Sequence, residues 1–419
     1  MSAQVLNLFH PTEEFTMSHI FRCSLSLTAL ATSLALASTA HGQPPLDART
    51  LSAKKFFGDQ ERAALAEPFV GVRTGDELPA GLFPLRVTGV STQPMQVAAE
   101  KFLASLRPDQ RLRTQFAIDD SEWRRWSNVD NAIYTRQGVS FREMSPAQRQ
   151  AATGLIAASL SAKGLALTEA IRKTDQTLRE INDDPWTFDE DLYFLTVMGI
   201  PSASEPWGWQ LDGHHLVINY FVLGDQVVMT PAFFGGEPVR TTTGKYAGNT
   251  LLQEEQDLGL ALVQSLSAEQ RRAAILASRK TGRDLQAGAQ QDNLVLEYAG
   301  VSVATFSESQ RSQLTALISK FVHNLPPGHA KVRMDEVLEH LDSTWFAWVG
   351  KTSDDAVFYY RIHSPVLLIE FDHQSPVGTR KLNPSRKATR DHIHVIVRTP
   401  NGNDYGKDLL RQHLETQHH

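Results

Sequence analysis

The sequence predicts an α+β fold, a mainly antiparallel sheet with helices packed around it, in a single domain after a leader. Three observations carry this. Helical and strand patterns come in blocks, helices then strands and then both again, not as alternating βαβ units. Strand-like runs are joined by short turns such as Leu223-Gly224-Asp225-Gln226, which suit hairpins. With 41% hydrophobic and 21% charged residues over 419 positions, the chain can bury a large core.

Taken in order, residues 1–42 have the character of a signal peptide, with Met17 as the expected true start. Arg22 precedes a short apolar run ending in small residues, too short and too rich in Ser, Thr and Ala for a stable span. The expected product, 43–419, is periplasmic or secreted and keeps no stable membrane anchor. The single cysteine, Cys23, lies in the leader. The mature chain is therefore expected to form no disulfide, use no thiol nucleophile and bind no metal through sulfur.

A short pattern then recurs: Leu106-Arg107-Pro108-Asp109-Gln110-Arg111, Met144-Ser145-Pro146-Ala147-Gln148-Arg149, Leu266-Ser267-Ala268-Glu269-Gln270-Arg271 and Phe306-Ser307-Glu308-Ser309-Gln310-Arg311. Ser three residues before Gln makes a capping box. The spacings are unequal, so the four copies are taken as independently capped helix starts, not a repeat architecture. Helices are expected over about 94–118, 145–182, 246–278 and 306–342. Strands are expected at 192–198, 214–223, 226–234, 345–349, 357–362, 366–371 and 392–398.

Histidines and carboxylates concentrate on these strands, where burial is costly unless they bind something. His392 and His394 share one face of a strand, a good start for a metal site that needs further ligands from elsewhere. Glu370 and Asp372 share a face of the preceding strand, as ligands, second-layer acceptors or a general base. In Gly213-His214-His215, a regular strand sends the two rings to opposite faces. His214 then joins an apolar parity, and His215 is the preferred ligand unless a bulge re-aims both. Arg361 and Arg398 are candidates for an anionic substrate group or for developing negative charge. Glu237 in Phe234-Gly235-Gly236-Glu237-Pro238 is taken as a loop carboxylate. Trp207 and Trp209 could stack on a sugar ring, although such pairs more often lie in a core.

Net charge is −6 with no basic patch, which argues against a nucleic-acid partner. There is no Gly-x-Ser-x-Gly elbow, P-loop or His-Glu-x-x-His.

Pro206-Trp207-Gly208-Trp209-Gln210-Leu211-Asp212-Gly213-His214-His215-Leu216, Tyr360-Arg361-Ile362-His363-Ser364-Pro365, Leu368-Ile369-Glu370-Phe371-Asp372, and His392-Ile393-His394 with Asn403-Asp404-Tyr405-Gly406 together resemble the motifs of the domain of unknown function 3500 family. The resemblance implies membership over most of the chain but no activity. It also implies that His373 and Asp391 stand where Asn is common, so neither is required as a ligand or charge.

From the residues, the expected function is an exported metal-dependent hydrolase acting on a small-molecule or anionic substrate. His215, His214, His392 and His394 are candidate ligands for Zn, Mn, Fe or Cu, and Glu370, Asp372, Arg398 and Arg361 are candidate catalytic groups. The same ligands at Fe or Cu would permit an oxidoreductase. A closed site without a cavity would instead mark a non-catalytic periplasmic binding or structural protein.

Overall fold

The computed structural model describes residues 45–75 and 78–417, so the leader expected at 1–42 and the terminal His418 and His419 lie outside the described residues. Helix α1 (Ala48–Ala66) opens the described chain, with the Asp47 side chain accepting from the Thr50 amide at 2.7 Å as its N-cap. There follow α2 (Gln93–Ser105), α3 (Pro108–Leu112), β1 (Gln115–Phe116), β2 (Val139–Ser140), α4 (Pro146–Ser159), α5 (Ala162–Asn182), β3 (Tyr193–Gly199), β4 (Trp207–Gly213), β5 (Leu216–Leu223), β6 (Gln226–Val228) and β7 (Ala232–Gly236). Almost the same succession runs again as α6 (Gln253–Ser265), α7 (Ala268–Ala274), β8 (Ile275–Ala277), β9 (Val301–Ser302), α8 (Glu308–Val322), α9 (Pro327–Glu339), β10 (Trp345–Gly350), β11 (Phe358–His363), β12 (Leu368–His373) and β13 (Ile393–Arg398). Helix α10 (Lys407–Gln417) ends it. No helix among the described residues is long and apolar enough to cross a membrane.

All thirteen strands among the described residues join one sheet, in the order β1-β3-β4-β5-β7-β13-β12-β11-β10-β8, with β2 on β3, β6 on β5 and β9 on β10. The order has the same form from either end, and the two halves meet at the antiparallel pair β7–β13. The fold is α+β as expected. Its sheet is mixed, because β1–β3 and β8–β10 run parallel while the other strand pairs are antiparallel.

Each copy of the recurrent Gln-Arg pattern does open a capped helix, but the four are not independent. They form two pairs, one pair in each half. The Gln148 Nε2 donates to Gln110 Oε1 at 2.7 Å and to the Ser105 carbonyl at 2.9 Å. In the second half, Gln310 Nε2 donates to Gln270 Oε1 and to the Ser265 carbonyl, both at 3.0 Å. Gly138 and Gly300, which lead into β2 and β9, have φ of +83° and +93°. A Cβ on either would fall 2.2 Å from the Leu195 carbonyl oxygen or 2.1 Å from that of Phe346. Unequal loops between matched elements hid this duplication from a reading based on spacing.

The long helical stretches also divide. Ser161 caps α5 by accepting from the Gly164 amide at 3.0 Å, splitting 145–182 in two. Pro326 and Pro327 restart the chain as α9.

Register sorts the sheet into two unlike faces. One carries Leu195, Trp209, Ile218, Tyr220, Phe234, Val395, Ile369, Phe371 and Tyr360, all buried. Helices pack on it: Trp209 Nε1 donates to Ser159 Oγ on α4 at 3.2 Å, and Tyr360 OH to the Glu255 carbonyl on α6 at 3.1 Å. Each such side chain contributes about 1.5–3 kcal/mol by burial. Trp207 and Trp209 belong to this core, so they do not stack a sugar ring. The opposite face carries Gln210, Asp212, Asn219, Arg361, Glu370, Asp372, His394 and Arg398. It is covered by two matched irregular segments, 117–138 between β1 and β2 and 278–300 between β8 and β9. Irregular backbone leaves N–H and C=O groups without ladder partners, and polar strand side chains supply them.

Candidate metal centre

Gly213 pairs with Leu216 across the β4–β5 hairpin, so His214 and His215 form its two-residue loop. They do not begin a strand and do not point to opposite faces as expected; their rings stack with centroids 3.9 Å apart. His215 takes φ +61°, a left-handed conformation unusual for a non-glycine residue and often found at functional sites. Its amide donates to the Asn128 carbonyl at 3.2 Å. Gly235, at the end of β7, gives its ring room: a Cβ there would lie 3.3 Å from His215 Cδ2 and 2.7 Å from the Ile393 carbonyl oxygen. His394 pairs with Gly235 in register, and His392 immediately precedes β13.

The hairpin and β13 thus bring three Nε2 atoms together. His215 lies 3.2 Å from His392 and 3.1 Å from His394, and those two are 2.9 Å apart. The rings meet edge to face at interplanar angles of 61° to 80°. His392 Nδ1 donates to the Ser375 carbonyl at 2.8 Å, which leaves its Nε2 as a lone pair. Three neutral rings cannot satisfy one another in this arrangement, and the buried Nδ1 of His215 has no partner. The nitrogens of a tetrahedral zinc site lie about 3.3 Å apart, given Zn–N bonds of about 2.0–2.1 Å. The spacing therefore fits a single ion shared by all three rings.

Burial holds the three imidazoles below the ordinary histidine range. His215 and His394 lie well below it, with neighbouring histidines adding to the effect. His392 is lowered by burial too, although Glu237 pulls it back part of the way. Neutral rings are the ligating form.

Glu237, expected as a loop carboxylate, is buried behind the site. Its Oε2 sits 3.4 Å from His392 Nδ1. It accepts from the amides of Val377, Gly378 and Thr379 at 2.9 Å each and from the Thr379 hydroxyl at 2.5 Å. Burial alone would raise its pKa, but His392 and these donors bring it below the usual carboxylate range. Its sequence signal was the Gly-Gly pair before it, which opens backbone space beside the histidines.

His214 stacks on His215 but is held by a different partner. Its Nδ1 lies 2.6 Å from Oδ1 of buried Asp175 on α5, whose other oxygen is 3.0 Å from the Tyr193 hydroxyl. Two ligands of one ion at bond lengths of about 2.0–2.2 Å would stand farther apart, so this is a hydrogen bond. Burial would lower the pKa of His214, but the Asp175 carboxylate raises it overall. Asp175 gave no sequence signal, being one polar residue on a long amphipathic helix.

The four expected catalytic groups do not line the site; they hold the 278–300 segment. Glu370 accepts from the amides of Gln286 and Ala287 at 3.0 and 2.7 Å and from the Tyr359 hydroxyl at 2.6 Å. Asp372 accepts from the amides of Asp284 and Leu285 at 2.9 and 3.1 Å and pairs with Lys280 at 2.7 Å. Burial pushes the Asp372 carboxyl up to about 6 against the opposing effect of Lys280. Arg398 donates to the Ala287 and Gly288 carbonyls, both at 2.7 Å, and pairs with Asp292 and Asp404, both at 3.0 Å. Arg361 donates to the Glu297 carbonyl at 3.1 Å.

A cavity of about 430 Å³ opens directly onto the three histidines. Its walls come from both covering segments, including Asn128, Asp130, Arg283 and Gln290, and from Phe57 and Gln60 of α1. Comparison with curated proteins and with solved structures returns no match. A family model described as protein of unknown function (DUF3500) matches residues 88–407, which spans every strand and all three clustered histidines. The chain belongs to the DUF3500 family.

Proposed function

We propose that this protein is an exported, metal-dependent hydrolase in which His215, His392 and His394 hold one divalent transition ion, Zn being favoured over Mn, Fe or Cu. The observation that carries this reading is the convergence of three Nε2 atoms within 3.2 Å, from buried His215 and His392 and half-buried His394, beside an open cavity. A structural site is closed, whereas this one has room beside the ligands for water and substrate. Held by these three neutral rings, a divalent ion would keep its full charge and would supply Lewis-acid chemistry to water or substrate in the cavity. Glu237 and the Ser375 carbonyl fix His392 so that its Nε2 faces the ion.

The test is elemental analysis of tag-free protein, followed by chelation, reconstitution with each metal and assay against ester, amide and phosphoester panels. Stoichiometric zinc with metal-restored hydrolysis is expected. A chain that neither retains nor takes up a stoichiometric ion would sink the reading. Stoichiometric iron or copper with oxygen consumption and no hydrolysis would move it to an oxidoreductase.

A further inference from the structure

Arg283 is the only lysine or arginine among the described residues that line the histidine cavity. Its side chain is exposed, and no described residue pairs with its guanidinium. Yet the backbone that carries it is among the most firmly held in the loop. Lys280, three residues before it, is clamped between Asp372 at 2.7 Å and Asp284 at 2.6 Å. The Thr281 hydroxyl donates to Asp284 at 2.8 Å. The next four amides, 284 to 287, all donate to Asp372 or Glu370. A run of buried charges thus fixes the position of a single arginine and leaves its planar fork free.

The carboxylates of the cavity wall do not neutralise it. Glu237 is taken up by the 377–379 amides, and Asp130 accepts from the Ala132 amide at 3.0 Å. Asp130 comes from the first covering segment and Arg283 from the second.

We propose that Arg283 is the anchor for an anionic substrate: the cavity takes a small molecule bearing a carboxylate or phosphate, which the guanidinium holds while the group to be cleaved faces the ion. This deepens the metal-hydrolase reading and rests on it for the chemistry, though not for the anion contact itself. Arginine suits the role because its fork matches the two oxygens of either anion, and because a fixed backbone reduces the ordering cost of binding. Glu370 and Asp372 are then positioning residues that act through the loop.

The experiment titrates inorganic phosphate, acetate and succinate into zinc-loaded and chelator-stripped protein, using wild type, Arg283→Lys and Arg283→Gln. In the zinc-loaded protein, Arg283→Gln is expected to weaken binding of the preferred anion at least tenfold. Metal content and melting temperature should stay unchanged, and Arg283→Lys should keep part of the affinity. In the stripped wild type, a weaker anion affinity should persist and should vanish in Arg283→Gln. Preference for phosphate over the carboxylates, or the reverse, identifies the anion. Affinity within twofold of wild type in Arg283→Gln, or no anion binding by wild type in either state, overturns the proposal. Failure to load zinc with anion binding still dependent on Arg283 would refute the metal reading and leave this one standing.

Discussion

The two halves of the chain build the same frame and stabilise it with different polar chemistry. In the first half, cross-strand neighbours Gln210 and Asn219 are joined at 2.7 Å, and Gln210 also holds the Trp123 carbonyl of the covering segment at 3.1 Å. In the second half, the matching cross-strand neighbours are Arg361 and Glu370, which hold carbonyls and amides of the other segment. The two ends of the β7–β13 seam diverge further. At the Gly236–Ile393 end lie the three histidines and a cavity of about 430 Å³. At the Ala232–Val397 end lies a cavity of about 60 Å³, lined by Val227, Met229, Leu367 and Val397 among others. A duplicated scaffold thus offers two comparable ends, and among the described residues only the end with the tight His214-His215 turn gathers side chains that could hold a metal. What distinguishes the site is the departure from symmetry.

Breaking each end separately sharpens this contrast. The largest effect belongs to His215→Ala, His392→Ala and His394→Ala, each expected to remove stoichiometric metal, measured per chain by elemental analysis. Leu367→Ala, at the other end, should leave metal content intact while costing about 2–5 kcal/mol of stability. Retention of metal by any of the three histidine variants would remove that residue from the ligand set.

Next comes Arg398→Ala. It leaves Asp404 buried without its cation, while Asp292 keeps Arg124 at 2.9 Å, so a loss of about 3–5 kcal/mol in denaturant unfolding is expected. A loss below about 1 kcal/mol, the value of an exposed pair, would show that the network is not what anchors the 278–300 segment. Smaller again is Glu237→Gln, which keeps the shape but removes the charge behind His392. Metal affinity should fall roughly 10–100-fold, read by competition with a chromophoric chelator. An unchanged affinity would show that the Ser375 carbonyl alone orients the ring.

The sequence made the block order of helices and strands legible, because period and turn chemistry are local. It also marked His392 and His394 through their shared parity, whereas His215 was preferred on a strand parity that its two-residue turn does not have. Glu370, Asp372, Arg361 and Arg398 were visible as buried polar residues on strands, but their role was not. The same alternation arises whether a sheet face meets a ligand or an irregular loop that needs partners for its backbone. Glu237 and Asp175 act from segments far away in sequence, one after a glycine pair and one on a helix, so no local pattern ties them to the histidines. The duplication left only a six-residue trace because most matched positions were refilled with different side chains, as Gln210 against Arg361 shows.

The smallest expected effect separates the two covering segments by their response to pH. Glu122 lies on the first segment, is only 3% exposed, and has a carboxyl pushed up to about 8. Burial is the main cause; nearby Asp212, Asp120 and Glu61 add to it, and Arg125 opposes it. In the unfolded chain the group returns to about 4.3. The folded state therefore binds the proton more tightly, and the stability this contributes is fully present below about 4.3. It is lost as pH rises through about 8, where the folded protein must hold a buried carboxylate beside other acids. Glu122→Gln is neutral at every pH. Its melting temperature relative to wild type should rise between pH 5 and pH 8.5, by a few degrees at the upper end, while the two should differ least at the acidic end. Parallel pH profiles would show that water reaches Glu122 and keeps it an ordinary carboxylate. The first covering segment would then be more open than the second, and the cavity it shares with Arg283 correspondingly wetter.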